Sequence, residues 1–434
     1  MAKRKLPAQL RICLVAQNFP ILGRASDHGF LWPIARGLAN HGHSVTVLSA
    51  KSRLGKPEVV RDNVRVFYLH EGFPNKSHLR FEDAVYEKFV ELHRALPFHI
   101  VHSIDNSGFK IGIHKRELEV ALSYDVEATQ MAQLFSILGM GQEKVSSLLQ
   151  TGIAVVYKFL STYFNRDRKL LKTADGIFVT SPQQRIFLER YYLYPDFRTY
   201  TVPYGIEMGD LSRRPESLEL RNKLKLPENA QITMTLSDMS EAQEVNNLLS
   251  AFERVAVKKP NSYMVIVGNG PAWKEIEFHM LNLALGSRVI MTGAITPEET
   301  SDLVSVADVF VNMSSKSTGF EPSMLEAMAQ KKIIIGSEVS PIAHIVEDGI
   351  DGFLLRPADI ESLSHLLTEI FSGSMPTQEI GNRAREKVLN LFDTKKMVSI
   401  IEDAYKKILV NTKLYSMSRA PGGLPEPAPP TLGL

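Results

Sequence analysis

The sequence predicts an α/β fold made of two parallel-sheet domains in series. Three observations predict it. Short β-rich apolar runs alternate with stretches of helical spacing, a Gly/Pro-containing connector interrupts the pattern, and the pattern then starts again. A chain of 434 residues is also too long for one core and suits two.

The elements follow in order. "LRICLVAQNFP" is a short apolar run that ends in a loop and reads as a buried strand. "FLWPIARGLANHG" has helical spacing and a Gly stop, and "HSVTVLSA" is a second strand. "VRVFYL", "HIVHS", "VALSYD", "GIFVTS" and "TYTVPYG" continue the sheet, with helical segments between most of them. After the connector "PYGIEMGDLSRRPE" come the strands "QITMTLS", "YMVIVGNG", "RVIMTG", "DVFVNMS" and "KIIIGS". "NNLLSAFERVAV", "AWKEIEFHMLNLAL" and "SMLEAMA" are helical by spacing. The result is two Rossmann-like domains facing a cleft, with ligands expected beyond the carboxyl ends of the strands. The expected units are residues 1–205, residues 206–392, a terminal helix within 393–416 with the option of crossing back to the first domain, and a disordered Pro/Gly-rich tail at 417–434.

Composition excludes several classes. Hydrophobic residues at 44% and charged ones at 23% fit a soluble globular protein. A net charge of +2, with no zinc-finger spacing and no basic run, argues against nucleic acid as a partner. The single cysteine, Cys13, forbids an intrachain disulfide framework, fits a reducing cytoplasm and reads as a buried small hydrophobe. The basic start "MAKRKLPAQL" lacks the apolar stretch of a signal peptide, and no run approaches the ~20 apolar residues that span a bilayer. Residues 131–172 hold "VSSLLQTGIAVVYKFLSTYF" followed by "NRDRKLLK". They read first as packed helices with a solvated basic end, and alternatively as a peripheral contact with the anionic inner face of a membrane. The expected location is cytoplasmic, with that contact left open.

The ordered set "VGNGP", "STGFEPSMLEAMA" and "VEDGIDGFLL", together with "NFPILGRASDHGFLWPIARGLANHGHSVTVL" near the start, resembles the family 4 glycosyltransferases of the GT-B fold. The resemblance runs from about Ile12 to the final helices near Leu409. It implies that residues 1–205 form the acceptor side and that residues 206–392 hold a nucleoside diphosphate sugar, of UDP or GDP type, as substrate. It implies no tightly bound cofactor and no metal ligand. The acceptor would be a glycan or a lipid-linked group.

Several site residues come by the same resemblance. Glu326, the second of two spaced glutamates, would accept hydrogen bonds from the ribose hydroxyls, a diol that suits a carboxylate's four acceptor sites. The first glutamate position holds Thr318, which can donate and accept but lacks charge, with Glu321 close by. Backbone N–H groups of Gly319 and Phe320 would meet phosphate oxygens. Gly268, Asn269, Gly270, Ser315 and Leu325 complete the expected donor-binding set. Asp125 and Glu127 stand at the strand end where the family often places a histidine near the transferred sugar; with Thr318 they are the catalytic candidates. Gly23, Arg24, Asp27, His28 and Gly29 form the acceptor-side loop.

The chain departs from the family where the diphosphate is neutralised. Asp238 falls at the usual Arg position and Gln243 at the usual Lys position, and no Arg or Lys lies between Thr235 and Leu249. Losing two charge-assisted phosphate contacts costs roughly 3–6 kcal/mol. Lys331, Lys332 and His344 are the cations that could replace them, read first as solvated surface residues. Two readings therefore stand. One is a retaining enzyme moving a hexosyl group to an envelope or polysaccharide-type acceptor with a degenerate donor site. The other is a catalytically inactive GT-B scaffold that binds without turnover. A dehydrogenase is disfavoured, because "VGNGP" lacks a third Gly and no acidic residue ends the next strand.

Overall fold

The computed structural model describes residues 4–17, 19, 31–50, 56–69, 78–126, 167–180, 182–203, 205, 218–295, 297–315, 321, 323–339, 342–412 and 414–416. The acceptor-side loop at 23–29, Glu127, residues 131–166, the triplet Thr318, Gly319 and Phe320, and the tail at 417–434 lie outside the described residues.

The first domain holds strands β2 (Arg11–Ala16), β3 (Ser44–Ala50), β4 (Glu58–Arg61), β5 (Val64–Leu69), β6 (Ile100–Ser103), β7 (Ala121–Asp125), β8 (Gly176–Val179) and β9 (Thr199–Thr201). They form one sheet in the order β4-β5-β3-β2-β6-β7-β8-β9. Strands β6 and β8 are buried at every residue, as continuous apolar runs in a two-sided parallel sheet must be. Alternate residues feed opposite faces: Ile12, Leu14 and Ala16 enter one apolar cluster, Cys13 and Val15 the other. Burial pushes the Cys13 thiol well above its ordinary pKa, so it stays protonated and inert. The one antiparallel pair among the described strands is β4 on β5. Asp62 and Asn63 turn it at φ 48° and 62°, the left-handed pair that a two-residue hairpin needs.

The second domain holds β10 (Gln231–Leu236), β11 (Ser262–Val267), β12 (Val289–Gly293), β13 (Val309–Asn312), β14 (Ile333–Ser337) and β15 (Phe353–Leu355), in the order β12-β11-β10-β13-β14-β15. Every pair in it is parallel. Strand order reverses between β2 and β6 in the first sheet and between β10 and β13 in the second. Those two crevices, at the carboxyl ends, are where open sheets hold ligands.

The helix Thr394–Asn411 packs on the first sheet. Its Met397, Val398, Ile401, Tyr405 and Ile408, spaced at helical intervals, belong to the same cluster as Ile12 and Leu14. Each buried apolar side chain contributes about 1.5–3 kcal/mol, so this helix is part of the first core. Gly37 and Gly176 let it approach: a Cβ on them would sit 2.4 Å from Val398 Cγ2 and 2.6 Å from Ile408 Cδ1. Beyond it, β16 (Tyr415–Ser416) pairs in parallel with β1 (Arg4–Lys5), joining the two ends of the described chain.

Candidate functional site

In the second domain the site is built from the exits of β10, β11 and β13. The β10 exit folds onto itself. Ser237 Oγ accepts from the Met239 amide at 3.0 Å and Asp238 Oδ1 from the Ser240 amide at 2.9 Å. The β11 exit lies directly against this turn. A Cβ at Gly268, which has φ +129°, would stand 1.8 Å from the Ser237 carbonyl oxygen, and one at Gly270 1.9 Å from that of Asp238. The two glycines of "GNG" are thus required by contact between two backbones. The Gly268 amide already donates to the Gly293 carbonyl at 3.1 Å. Asn269, between them, is exposed.

Ser315 is half-buried after β13, and the helix Ser323–Ala329 that follows is buried throughout. Leu325 is fully buried in the second core, and Glu326 is only 7% exposed in the first helical turn. Glu321 serves the helix instead. Its Oε1 accepts from the Ser323 amide at 3.1 Å and the Ser323 hydroxyl at 3.0 Å, which ties the carboxylate to the helix start.

The charges near this edge are unusual for a phosphate site. Asp238 is exposed and turned onto its own loop, and Gln243 donates from Nε2 to Asn247 Oδ1 at 2.8 Å. Lys331 and Lys332 immediately precede β14, at the amino edge, and the Lys332 ammonium donates to the Ser305 carbonyl at 2.7 Å. Both therefore stand at the edge opposite the carboxyl-end crevice. His344 follows β14 on the carboxyl side, where desolvation lowers its pKa and leaves it largely uncharged at neutral pH.

In the first domain Asp125 ends β7 at the carboxyl edge. Its Oδ1 lies 2.9 Å from Nε2 of His102, a β6 residue that is 2% exposed. His102 Nδ1 lies 2.7 Å from Tyr405 Oη. A carboxylate can only accept, so Nε2 carries the hydrogen; in the neutral ring Nδ1 then accepts from the Tyr405 hydroxyl. Burial, and the nearby Asp125 charge, raise the Tyr405 pKa far above its ordinary value, which keeps that hydroxyl protonated. The imidazole also packs on Phe178, with ring centroids 4.6 Å apart. The carboxylate borders a small, mostly apolar cavity of about 30 Å³ that Thr180, Pro203, Met397 and Ile401 help to line. At the neighbouring switch point, the Gln17 amide donates to Asp105 Oδ2 at 2.7 Å. Gln17 Nε2 is buried with no hydrogen-bond partner among the described residues.

The structure thus gathers Asp238, Gln243, Gly268, Asn269, Gly270, Ser315 and Glu326 at one carboxyl edge and Asp125 at another. Sequence reasoning missed His102, Tyr405 and Gln17. The signals for the first two were a histidine inside the apolar run "HIVHS" and a tyrosine on the apolar stripe of the last helix.

Among the described residues no helix is long and apolar enough to cross a membrane, and no group of three or more metal-ligating side chains is present. Two parallel-sheet domains, with a final helix packed on the first, define a GT-B architecture. A "Glycosyl transferase 4-like domain" model matches residues 30–205, and a "Glycosyl transferases group 1" model matches residues 216–387. The chain belongs to the group 1 glycosyltransferases, of the family 4 type.

It is similar to N-acetyl-alpha-D-glucosaminyl L-malate synthase of Bacillus anthracis, at 26% identity over 45% of this chain and 50% of that protein. It is similar to alpha-monoglucosyldiacylglycerol synthase of Streptococcus pneumoniae, at 29% identity over 43% of each. The match spans about half the length of these relatives. In fold it is similar to sucrose-phosphate synthase from Thermosynechococcus elongatus, with TM-score 0.75 at 19% identity over 93% of this chain and 100% of that one. It also resembles Anabaena HepE solved with UDP and glucose, with TM-score 0.70 at 15% identity over 92% of this chain and 100% of that one.

Proposed function

We infer that this protein moves a hexosyl group from a nucleoside diphosphate sugar to a glycolipid or polysaccharide-type acceptor, with retention at the sugar carbon. The observation that carries the reading is Glu326. A carboxylate that is 7% exposed, one turn into a helix beside the β10–β13 crevice, is matched chemically to a ribose diol. The donor would lie on the second domain across Gly270, Ser315 and the segment 318–326, and the acceptor on the first domain near Asp125 and the loop at 23–29. Names of relatives support the chemistry: a diacylglycerol glycolipid synthase, a lipopolysaccharide transferase and a UDP-Gal-dependent transferase acting on a diphosphoundecaprenol-linked sugar. The alpha linkages in the first and third of these names are what retention from an alpha-linked nucleotide sugar produces. Fold neighbours bound to UDP or UDP-glucose support a uridine donor over a guanosine one. A lipid-linked acceptor would bring the protein to the inner face of a membrane without a spanning helix.

One observation favours the second reading, a scaffold that binds without turnover. The β10 exit and the following helix start present Asp238 and Gln243 where cations would neutralise a leaving diphosphate, and Lys331 and Lys332 sit at the opposite edge. A thermal-shift panel of UDP, GDP, ADP and their sugar conjugates, followed by a hydrolysis assay on any conjugate that binds, separates the two. Binding with turnover supports the enzyme; binding without turnover across all acceptors tried supports the scaffold. No shift with any nucleotide removes the enzyme reading and leaves a scaffold for a sugar or protein partner.

A further inference from the structure

We propose that the first domain carries a second ligand site, a phosphate-binding cavity at the end of the sheet opposite Asp125. The cavity is about 750 Å³, a volume typical of small-ligand pockets. It opens at the amino ends of β7, β8 and β9. Val120, Asp175 and Arg198 line it and immediately precede those strands, whereas Asp125 ends β7 and Thr180 and Pro203 follow β8 and β9 on the cleft side. Five residues of β7, at ~3.3 Å each, hold the two sites about 15 Å apart. The far wall comes from Asn411 and Thr412 at the end of the helix Thr394–Asn411.

Charge sets the ligand class. Five cationic side chains line the cavity against two carboxylates, a local excess of three, while the whole chain carries only +2. One cation belongs to the floor: the Lys115 ammonium donates to Asp175 Oδ1 and to the Thr173 carbonyl, each at 2.6 Å. Asp175 Oδ2 in turn accepts from the Leu122 amide at 2.9 Å, so that carboxylate is held by structure and does not cancel the rim. Arg116, Lys169 and Lys172 are exposed around the opening, and Arg198 is half-buried, its guanidinium over the Phe197 ring. No ion pair engages these four among the described residues. Like charges gathered in a concavity raise one another's energy until an anion enters. A guanidinium fork with point ammonium charges suits a multiply charged phosphate group better than a single carboxylate.

The test uses inorganic pyrophosphate and, separately, vesicles, because the phosphate could come from a soluble compound or a lipid headgroup. Calorimetry at constant ionic strength should give a saturable pyrophosphate isotherm that persists in saturating UDP. The variant Arg116→Ala/Lys169→Ala/Lys172→Ala, all exposed and so expected to fold, should weaken it at least about tenfold. An unchanged melting temperature without ligand verifies the fold. If pyrophosphate does not bind but phosphatidylglycerol vesicles co-sediment the wild type, phosphatidylcholine vesicles do not, and the triple variant stays in the supernatant, the phosphate is a headgroup and the site stands. An isotherm that the triple variant leaves unchanged, one that UDP abolishes, or binding to neither probe overturns the proposal.

Discussion

Tyr405 and His102, 303 residues apart in sequence, meet with Oη 2.7 Å from Nδ1 inside the first domain. The contact selects one imidazole tautomer and aims Nε2–H at Asp125, so the last helix of the chain helps to orient a carboxylate on β7. In the proposed transfer, Asp125 touches the acceptor or the sugar and the other two residues act through it. Tyr405→Phe should then lower kcat about tenfold with KM little changed. The lost buried hydrogen bond should cost about 1 kcal/mol of stability. His102→Gln, which can still donate, should retain more activity than His102→Ala. Equal activity of the two His102 variants would make the relay purely structural.

Much of the fold was legible because burial leaves a mark on composition. Strands β6 and β8 are covered on both faces, so they read as unbroken apolar runs. Strand β4 escaped notice because "EVVR" is exposed on the edge and is defined by its turn, Asp62-Asn63, more than by hydrophobicity. The "GNG" turn was visible, but the backbone that crowds it, from Ser237 and Asp238, lies 31 residues upstream of the first glycine and is set by strand pairing. Tyr405 with His102 was invisible for the same reason: each alone is an ordinary residue on an apolar face.

The crowding at the β11 exit makes a stability prediction independent of ligand. Gly268→Ala and Gly270→Ala each place a methyl group within 2 Å of a carbonyl oxygen. Each should destabilise by about 1–3 kcal/mol or more, measured by urea denaturation. A cost below about 0.5 kcal/mol would mean that the turn relaxes freely and that the glycines serve something other than packing.

The last helix is also clasped electrostatically. Desolvation pushes Glu402 up, but hydrogen bonds from Lys406 and from His41, at 2.9 Å, outweigh it and hold the carboxyl at about 2. A depressed carboxyl contributes stability above its unfolded pKa and loses it as pH falls through the folded value, here from about 4.5 toward 2. His43, lowered mainly by desolvation, acts in the same direction: it favours the folded state when neutral and loses that contribution as pH falls below its unfolded value of 6.5. Tm should therefore fall steadily from pH 7 to pH 3. Glu402→Gln should flatten the lower part of that curve; an unchanged slope below pH 4.5 would show that the clasp does not hold the helix.

Glu326 supplies the direct check on the donor site. Glu326→Ala should weaken nucleotide binding by about 1–3 kcal/mol in calorimetry, because a ribose diol loses its acceptor. The loss should appear equally with the bare nucleoside, since the contact is to sugar and not to phosphate. Unchanged affinity in a folded variant would remove Glu326 from the site.

Asp238 and Gln243 allow the opposite experiment, adding what the site lacks. Both are exposed at the carboxyl edge of the second sheet, so Asp238→Arg with Gln243→Lys should be tolerated by the fold. If missing positive charge limits the site, the double change should tighten UDP binding by several kcal/mol and uridine binding much less, because only the phosphates feel it. The gain should shrink with added salt, since screening at 0.15 M acts over about 8 Å. If another group, such as Arg24 from the first domain, already neutralises the diphosphate, the wild type will bind UDP far better than uridine and the double change will add little. The comparison of UDP with uridine in both proteins decides it. A wild type that shows strong diphosphate preference and turns over a sugar nucleotide would establish that the family's two cations are dispensable here; a wild type blind to phosphate, with the preference appearing only in the variant, would identify Asp238 and Gln243 as the point where catalysis was lost.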